Sequence, residues 1–483
     1  MKKVIAFILS LLCLLVLCGC GTASETVSET TAPTVQEGPV LPDPESVDID
    51  GNFNILIAAN WKWNDYEADE SSSEVVDVAI YERREKIKEK YGVELTTEDI
   101  VASQSTMGSG KGFQKLYNEV MAGYTNYDAA MIGTYDVATL AYNGLLTDLN
   151  RVPYVNLNNE YWDQKANKDL SMKGKMYYTT GEISLSDNRS VYTLFFSKNM
   201  IDEYGLDNPY DLVKSGNWTI EKFAEMSKSV GSDKNSDSVF DKNDVFGFLT
   251  PRDTHLAILS ATGEKICSIN EDGQLTLTIY NERTSNLYDR YLDILNHSST
   301  YNYQDISGSA SSDERIGMFN NSQALFYSHT MFYTDELRQM ENNFGILPYP
   351  KYDKNQGEYY NLVSPWHSQF VCVPVLNEGL ERIGIVLEEL AYLGKEMLTP
   401  AYYDKTLQGK YARDAESAEM LDIIFDSLLF DVGAYYNIAG LKDEIGKIYT
   451  SGKSLTTIYE SNRLIAESKI DEINEIFAKR LGY

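Results

Sequence analysis

Strand and helix patterns alternate along residues 53–133, and this alternation constrains the fold more than any other feature of the sequence. Short apolar runs typical of buried strands read FNILIAA, VELTTEDI and YDAAMIG. The two segments between them carry helical periodicity, with charged residues opposite an apolar face. Strand, helix, strand, helix, strand predicts a parallel sheet and therefore an α/β fold. Ligands of such sheets bind at the carboxyl ends of the strands, which points to residues 60–66 and 134–136.

Length and composition narrow the class of protein. A chain of 483 residues exceeds what one core usually holds, so we expect two or three lobes. A net charge of −30 argues against nucleic acid and against binding an anionic membrane through a basic patch. None of the four histidines lies in a zinc-ligand spacing, and no phosphate-binding glycine loop occurs. The 35 tyrosines suit either a half-wet surface or the binding of polar ligands with apolar faces, sugars above all.

The N-terminus predicts export and lipid attachment. Two lysines precede an apolar run over residues 4–17, which is too short for a comfortable membrane span and is typical of a signal peptide, here residues 1–19. The sequence LCGC that ends at Cys20 resembles a bacterial lipobox, which implies a lipid on the Cys20 sulfur. An ordinary signal peptide without lipid is the alternative. Residues 20–50 are rich in Ser, Thr, Glu and Pro, which predicts a disordered tether.

Two cysteines remain in the folded part, Cys267 and Cys372. They lie far apart in sequence and in apolar segments, so we expect two buried free thiols. A disulfide between them is the alternative in an exported protein.

Several longer stretches, in a fixed order, carry a family resemblance. They read AIYERREKIKEKYGVEL, YDAAMIGTYDVATLAYNGLLTDL, VYTLFFSKNMIDEYGL, GNWTIEKFAEM, NFGILPYPKYD and PAYYDKTLQGKYARDAESAEMLDIIF. In this order, and behind a lipobox, they resemble the extracellular solute-binding proteins of family 1, the carbohydrate-binding lipoproteins that serve ABC importers. The resemblance covers residues 53–435, which is most of the mature chain.

The resemblance implies a two-lobed, periplasmic-binding-protein-like α/β fold of type II, with the lobes joined by two or three hinge crossings. Lobe 1 would comprise residues 51–188 and 325–366. Lobe 2 would comprise residues 189–324 and 367–483, with a helical C-terminus. A ligand between the lobes favours their closure, because it touches both of them only in the closed state.

The implied function is the capture of a carbohydrate, an oligosaccharide, and its delivery to an ABC permease. The protein would be a lipid-anchored monomer on the extracellular face of the bacterial cell membrane. The resemblance implies no enzymatic activity, no required cofactor and no nucleic-acid partner. Two alternatives stay open: a surface glycoside hydrolase with two carboxylates in a cleft, and a ligand-sensing lipoprotein on the same fold.

Candidate binding residues follow from the chemistry of sugars, which bind between aromatic platforms and planar hydrogen-bonding groups. The segment NWKWNDY, after the first strand, provides two tryptophans, one of which is core in the alternative interpretation. The family pattern adds Asp136, for which a helix-capping role competes, and residues of three crossing segments. The residues predicted to bind ligand are Trp61, Trp63, Asp136, Asp187, Asn188, Arg189, His329, Phe332, Trp366, His367 and Tyr403.

Residues 233–244, DKNSDSVFDKND, carry the ligand spacing of an EF-hand calcium loop. Ser238 stands where such loops have glycine, and Asp244 stands where they have glutamate, so a solvated acidic loop is the alternative. The candidate ligands of a structural Ca²⁺ are Asp233, Asn235, Asp237, the carbonyl of Val239, Asp241 and Asp244.

Overall fold

The computed structural model describes residues 38–61, 63–102, 108–304, 311–337, 340–408 and 415–480. The predicted signal peptide, the lipidation site at Cys20 and the tether as far as residue 37 lie outside the described residues. The folded unit begins at Val40 rather than at residue 51. Leu41, Val47 and Ile49 pack against the core. The C-terminal end of the predicted tether therefore belongs to the folded unit, because its apolar side chains pack against the core.

The first sheet defines lobe 1 and has the strand order β2-β1-β3-β14-β4. Its strands are β1 (Gly51–Ala59), β2 (Val93–Val101), β3 (Ala129–Gly133), β4 (Tyr178–Thr179) and β14 (Gln369–Cys372). The strand β1 runs parallel to both β2 and β3, as the alternation of patterns predicted. The strand β14 is antiparallel to β3 and β4. Central strands are buried on both faces, which is why their sequences read as continuous apolar runs.

The second sheet defines lobe 2 and has the strand order β10-β7-β11-β5-β12, with β6 beside β7. Its strands are β5 (Tyr192–Ser197), β6 (Gly231–Ser232), β7 (Val245–Thr250), β10 (Thr300–Asn302), β11 (Ala324–Thr330) and β12 (Phe344–Leu347). The strands β10, β7 and β11 are parallel. The strand β5 is antiparallel to its neighbours β11 and β12. Two short pairs complete the strands: β8 (Cys267–Ile269) with β9 (Leu275–Leu277), and β13 (Asn361–Leu362) with β15 (Leu428–Leu429).

The predicted lobe boundaries are wrong after residue 324. The strands β11 and β12, assigned to lobe 1, pair with β5 in lobe 2. Strand β14, assigned to lobe 2, pairs with β3 in lobe 1. The chain therefore passes from lobe 1 to lobe 2 between β4 and β5, and returns between β12 and β14. Apolar runs identify a strand, but its partner depends on long-range packing that the runs do not encode.

The helices of the described residues cover both sheets. In chain order they are α1 (Val75–Tyr91), α2 (Lys111–Met121), α3 (Thr134–Asn143), α4 (Gln164–Leu170), α5 (Ser186–Ser190), α6 (Lys198–Tyr204), α7 (Pro209–Lys214), α8 (Ile220–Ser229), α9 (Thr254–Ser260), α10 (Glu282–Leu295), α11 (Ser312–Asn320), α12 (Thr334–Leu337), α13 (Leu380–Leu393), α14 (Thr399–Gln408), α15 (Ala415–Phe425), α16 (Val432–Tyr435), α17 (Leu441–Gly446), α18 (Ile448–Ser451) and α19 (Leu455–Lys479). Helix α5 lies in the first crossing, and a π-helical turn, Gly394–Leu398, joins α13 to α14.

The C-terminal segment is largely helical, as predicted, but it does not belong to lobe 2 alone. Helix α13 packs on α1 of lobe 1, whereas α15 packs on β12 of lobe 2. The last helix, α19, contacts both α3 and α10. The two cysteines of the folded part, Cys267 and Cys372, are buried and free, as expected. Within the described ranges, no helix has both the length and the apolar character needed to cross a membrane.

Candidate functional site

A cavity of about 580 Å³ lies between the two lobes, where strands of both sheets end. Trp61 follows β1 of lobe 1, while Asp253 and Tyr303 follow β7 and β10 of lobe 2. Trp366 and His367 come from the second crossing, before β14. We call it the interlobe cavity; its lining residues are Trp61, Tyr192, Pro251, Arg252, Asp253, Tyr303, Gln304, Arg315, His329, Tyr333, Trp366 and His367. The carboxyl ends of parallel strands thus form the site, as the fold class predicted.

Aromatic rings from both lobes contact one another at this cavity. The ring centroid of Trp61 lies 4.9 Å from that of Phe332 and 5.5 Å from that of His367. Trp63 packs 6.3 Å from Trp61 and 5.4 Å from Phe332. The side-chain amide of Asn60 donates to the carbonyl of Trp366 at 2.9 Å, which joins the loop after β1 to the second crossing. The wall of the cavity is therefore aromatic and is held by contacts between segments far apart in sequence.

Polar groups stand among these rings on the lobe 2 side. The Tyr192 hydroxyl donates to Asp253 Oδ2 at 3.2 Å, and burial raises the pKa of Asp253 above its usual value. The backbone N–H of Arg252 donates to Gln304 Oε1 at 2.7 Å. The cavity thus offers carboxyl, guanidinium, amide and hydroxyl groups beside aromatic faces, the combination that binds polyhydroxyl ligands.

The two histidines of the cavity are neutral at neutral pH. Burial lowers the pKa of His367 to about 3, and its Nδ1 lies 2.9 Å from the Ser364 hydroxyl. Burial, together with the positive charge of Arg315, holds the pKa of His329 well below its usual value. The backbone N–H of Thr330 donates to His329 Nδ1 at 2.8 Å, so the ring proton of neutral His329 is on Nε2.

Six of the residues predicted to bind ligand come together here. Trp61, His329, Trp366 and His367 line the interlobe cavity. Trp63 and Phe332 pack against Trp61. Their role in binding stays a prediction.

Asp136 lies elsewhere, and its carboxylate serves a helix. Its Oδ1 accepts the backbone N–H of Gly110 at 3.0 Å, and its Oδ2 accepts that of Phe113 at 3.1 Å. These groups belong to the start of α2, so Asp136 caps that helix from α3, where it is fully buried. Burial raises its pKa. The sequence left a capping role open but assigned it to the following helix.

Asp187 and Asn188 line a different space, which we call the second cavity, of about 280 Å³. Trp162, Glu182 and Thr399 are also part of its lining. The Thr180 hydroxyl donates to Asp187 Oδ2 at 3.0 Å. Burial, reinforced by the charge of Asp163, raises the pKa of Asp187 well above its usual value. The first crossing therefore does not turn these two side chains towards the interlobe cavity.

Arg189 and Tyr403 are engaged with other residues. Arg189 Nη1 lies 2.7 Å from Oδ1 of the fully buried Asp65, and the guanidinium lies 5.8 Å from the ring centre of Trp63. The Tyr403 hydroxyl donates to Asp422 at 2.7 Å on the surface of α14. Neither residue is among the lining of the two cavities.

The sequence analysis missed most of the lobe 2 wall: Tyr192, Arg252, Asp253, Tyr303, Gln304, Arg315 and Tyr333. The signal that identified the loop after β1 also exists in lobe 2, because PRD directly follows the apolar run VFGFLT. Applying the strand-end rule there would have found Arg252 and Asp253. Arg315, on α11, had no such signal.

In the predicted calcium loop several carboxylate oxygens accept backbone N–H groups of the loop itself, whereas Asp233 Oδ1 is buried without a hydrogen-bond partner among the described residues. Asp233 Oδ2 accepts the N–H of Ser238 at 2.7 Å, and the two oxygens of Asp244 accept the N–H groups of Lys234 and Asp241. Ser238, at the position of the usual glycine, has a φ of 68°. Over the residues that the structure describes, no group of three His, Cys, Asp or Glu side chains could hold a metal ion. Calcium binding by this loop stays a prediction.

A family model and several solved structures match most of the chain. The family model for the bacterial extracellular solute-binding proteins matches residues 79–369. No curated protein sequence matches the chain significantly.

Solved structures with the same fold include three transport proteins. One is an ABC substrate-binding protein from Listeria monocytogenes in complex with cycloalternan, with 13% identity, a TM-score of 0.54, and coverage of 89% of this chain and 100% of that chain. Another is the maltose/maltodextrin-binding domain MalE from Bdellovibrio bacteriovorus bound to maltotriose, with 13% identity, a TM-score of 0.54, and coverage of 87% and 100%. The third is the galacto-N-biose/lacto-N-biose I-binding protein from Bifidobacterium longum in complex with lacto-N-biose, with 12% identity, a TM-score of 0.56, and coverage of 88% and 98%. The predicted two-lobed α/β fold is confirmed.

Proposed function

The chain belongs to the bacterial extracellular solute-binding proteins, and from that premise we propose that its interlobe cavity captures a carbohydrate for delivery to an ABC importer. Proteins of this family bind solutes and are not enzymes. The site is the cavity between the lobes, and the bound solute is an oligosaccharide or a similar polyhydroxyl compound.

The observation that carries this proposal is the aromatic wall of the interlobe cavity, built from both lobes around polar groups. Its volume of about 580 Å³ suits a small-molecule ligand, since such pockets span about 300–1,000 Å³. Trp61 supplies an aromatic edge from lobe 1, Trp366 supplies an aromatic ring from the second crossing, and Asp253 supplies a hydrogen-bonding group from lobe 2. A sugar that contacts all three groups stabilises the lobes against each other.

Several solved structures that share this fold hold carbohydrates. Those described above hold cycloalternan, maltotriose and lacto-N-biose. One further structure with this fold, UgpB from Mycobacterium tuberculosis, holds glycerophosphocholine (13% identity, TM-score 0.57). The fold alone therefore does not fix the solute, and the proposal rests on the aromatic wall.

We propose that a lipid on Cys20 holds the protein at the membrane beside its importer. Acyl chains contribute about 0.8 kcal/mol per buried CH₂ group, so two or three chains hold a protein firmly at a bilayer. Metabolic labelling with a fatty-acid analogue should label the wild type and not a Cys20→Ser variant. Equal labelling of the two proteins would remove Cys20 as the lipidation site.

Thermal unfolding in the presence of a saccharide library tests the binding proposal. A ligand at 100 times its Kd stabilises the folded state by about 2.7 kcal/mol, which is a clear rise in the midpoint. Replacing Trp366 with alanine should remove about 2 kcal/mol of binding free energy, roughly thirtyfold in Kd. Tyr204→Ala is the matched control, since Tyr204 is exposed on α6 and does not line the cavity.

Three outcomes separate the proposal from its alternatives. A library in which no saccharide raises the midpoint contradicts carbohydrate binding. A saccharide that binds Trp366→Ala and wild type equally moves the site away from the interlobe cavity. Release of reducing sugar from a bound oligosaccharide by the pure protein would indicate a glycoside hydrolase instead.

A further inference from the structure

The hydroxyl of Tyr303 is buried in the wall of the interlobe cavity without a hydrogen-bond partner. Tyr303 follows β10 and is 1% exposed. Among the residues that the structure describes, its hydroxyl has no hydrogen-bond partner. A buried polar group without a partner costs stability, and nearly all such groups in folded proteins are paired. An unpaired hydroxyl in a ligand cavity therefore indicates a group whose partner arrives with the ligand.

The ring of Tyr303 is held in one place. The guanidinium carbon of Arg315, on α11, lies 4.2 Å from the centre of this ring. A stacked arginine restricts the movement of an aromatic side chain and keeps its hydroxyl at a fixed position. Tyr303 is thus a preorganised group rather than a mobile one.

Trp61 provides a second unpaired group in the same cavity. Its indole Nε1 is buried and has no acceptor within the described part of the chain. The rings of Trp63, Phe332 and His367 already pack around Trp61, at centroid distances of 6.3, 4.9 and 5.5 Å. The part of the Trp61 ring that is left for a ligand is therefore its N–H edge, which acts only as a hydrogen-bond donor.

We propose that the Tyr303 hydroxyl and the Trp61 N–H determine specificity by pairing with hydroxyl groups of a bound saccharide. This inference rests on the proposed function of the interlobe cavity. A sugar hydroxyl accepts the indole proton and can either donate to or accept from the tyrosine hydroxyl, so a polyhydroxyl compound satisfies both groups at once. A ligand without these hydroxyls gains neither hydrogen bond and therefore binds more weakly.

Tyr303→Phe tests the inference, because it removes only the hydroxyl. Tyr435→Phe is the matched control: Tyr435 is fully buried, its hydroxyl likewise lacks a partner among the described residues, and it lines neither cavity. Without ligand, both variants should unfold at or above the wild-type midpoint, since neither hydroxyl has a bond to lose. The probe is whichever of maltotriose, lacto-N-biose and cycloalternan binds the wild type most tightly by calorimetry.

The Kd for that saccharide should rise about tenfold in Tyr303→Phe and stay unchanged in Tyr435→Phe. Equal affinity of Tyr303→Phe and the wild type overturns the inference and leaves the proposed function standing. An unliganded midpoint that falls in Tyr303→Phe but not in Tyr435→Phe also overturns it, because the hydroxyl would then have a structural partner. If none of the three saccharides binds the wild type, the proposed function fails in this test, and the inference fails with it.

Discussion

Replacing Arg189 with methionine should unfold the protein at lower denaturant without acting on a ligand contact. Arg189 Nη1 lies 2.7 Å from Oδ1 of Asp65, whose side chain is fully buried, and the Arg189 side chain is 15% exposed. The other carboxylate oxygen of Asp65 accepts the Ser184 hydroxyl at 3.1 Å and the Leu185 N–H at 2.9 Å. Burial raises the pKa of Asp65, but Arg189 and the Leu185 N–H outweigh this and hold the pKa below its usual value. The ion pair therefore fastens the loop after β1 to the first crossing.

The magnitude follows from leaving a buried carboxylate unpaired. Removing one partner of a buried ion pair costs about 3–5 kcal/mol of the free energy of unfolding. The double variant Asp65→Asn with Arg189→Met should recover part of that loss, because it also removes the charge of the buried carboxylate; the recovery stays partial because the buried Arg83 then loses the favourable charge of Asp65. Urea unfolding at pH 7 measures both effects, and calorimetry on the folded fraction measures saccharide affinity.

One combination of results would contradict a structural role for Arg189. If Arg189→Met keeps the wild-type free energy of unfolding but loses saccharide affinity, Arg189 contacts the ligand, as the family resemblance implied. The structural interpretation of the Asp65–Arg189 pair would then be wrong.

Three further predictions concern the pH dependence of binding, the stability of a His367 variant, and calcium. Protonation of His367 and His329 should not weaken saccharide binding between pH 8 and pH 5.5, because burial lowers the pKa of His367 to about 3 and also depresses that of His329; a rise in Kd at pH 5.5 that is absent in His367→Gln would contradict this. Unfolded histidine titrates near pH 6.5, so below that pH each such group lowers the free energy of unfolding by about 1.4 kcal/mol per pH unit. His367→Gln should therefore lose less stability than the wild type between pH 7.5 and pH 5.5 in urea titrations, and parallel losses would refute the depressed pKa. Calcium binding by residues 233–244 requires a higher unfolding midpoint in CaCl₂ than in EDTA, and equal midpoints reject it.

The fold could be predicted from the sequence as far as local patterns reach. The apolar runs of β1, β2 and β3 and the helical periodicity between them specify a parallel sheet, and the structure has it. The partners of β11 and β14 could not be read in the same way. A fully buried strand shows the same apolar run in either lobe, and the choice is made by packing between residues more than a hundred positions apart.

The candidate site likewise contains residues that local sequence predicts and residues that only the packing of distant segments determines. The strand-end rule located Trp61, and the family resemblance located Trp366, because both follow from position along the chain. Whether a charged side chain such as Arg189 faces a ligand or a buried carboxylate depends on what folds against it. Tyr303 was missed for a related reason: it is one of 35 tyrosines, and only the structure shows that its hydroxyl lacks a partner.

Tryptophan emission during a saccharide titration directly tests whether the saccharide binds in the interlobe cavity. Of the five tryptophans, Trp61, Trp63 and Trp366 lie at the interlobe cavity, and Trp218 is fully buried in the core of lobe 2. Trp162 lines the second cavity, so the titration is done on a Trp162→Phe variant. We expect a saturable change in emission with the same Kd as calorimetry. Calorimetric binding of a saccharide that leaves the emission of this variant unchanged would contradict it.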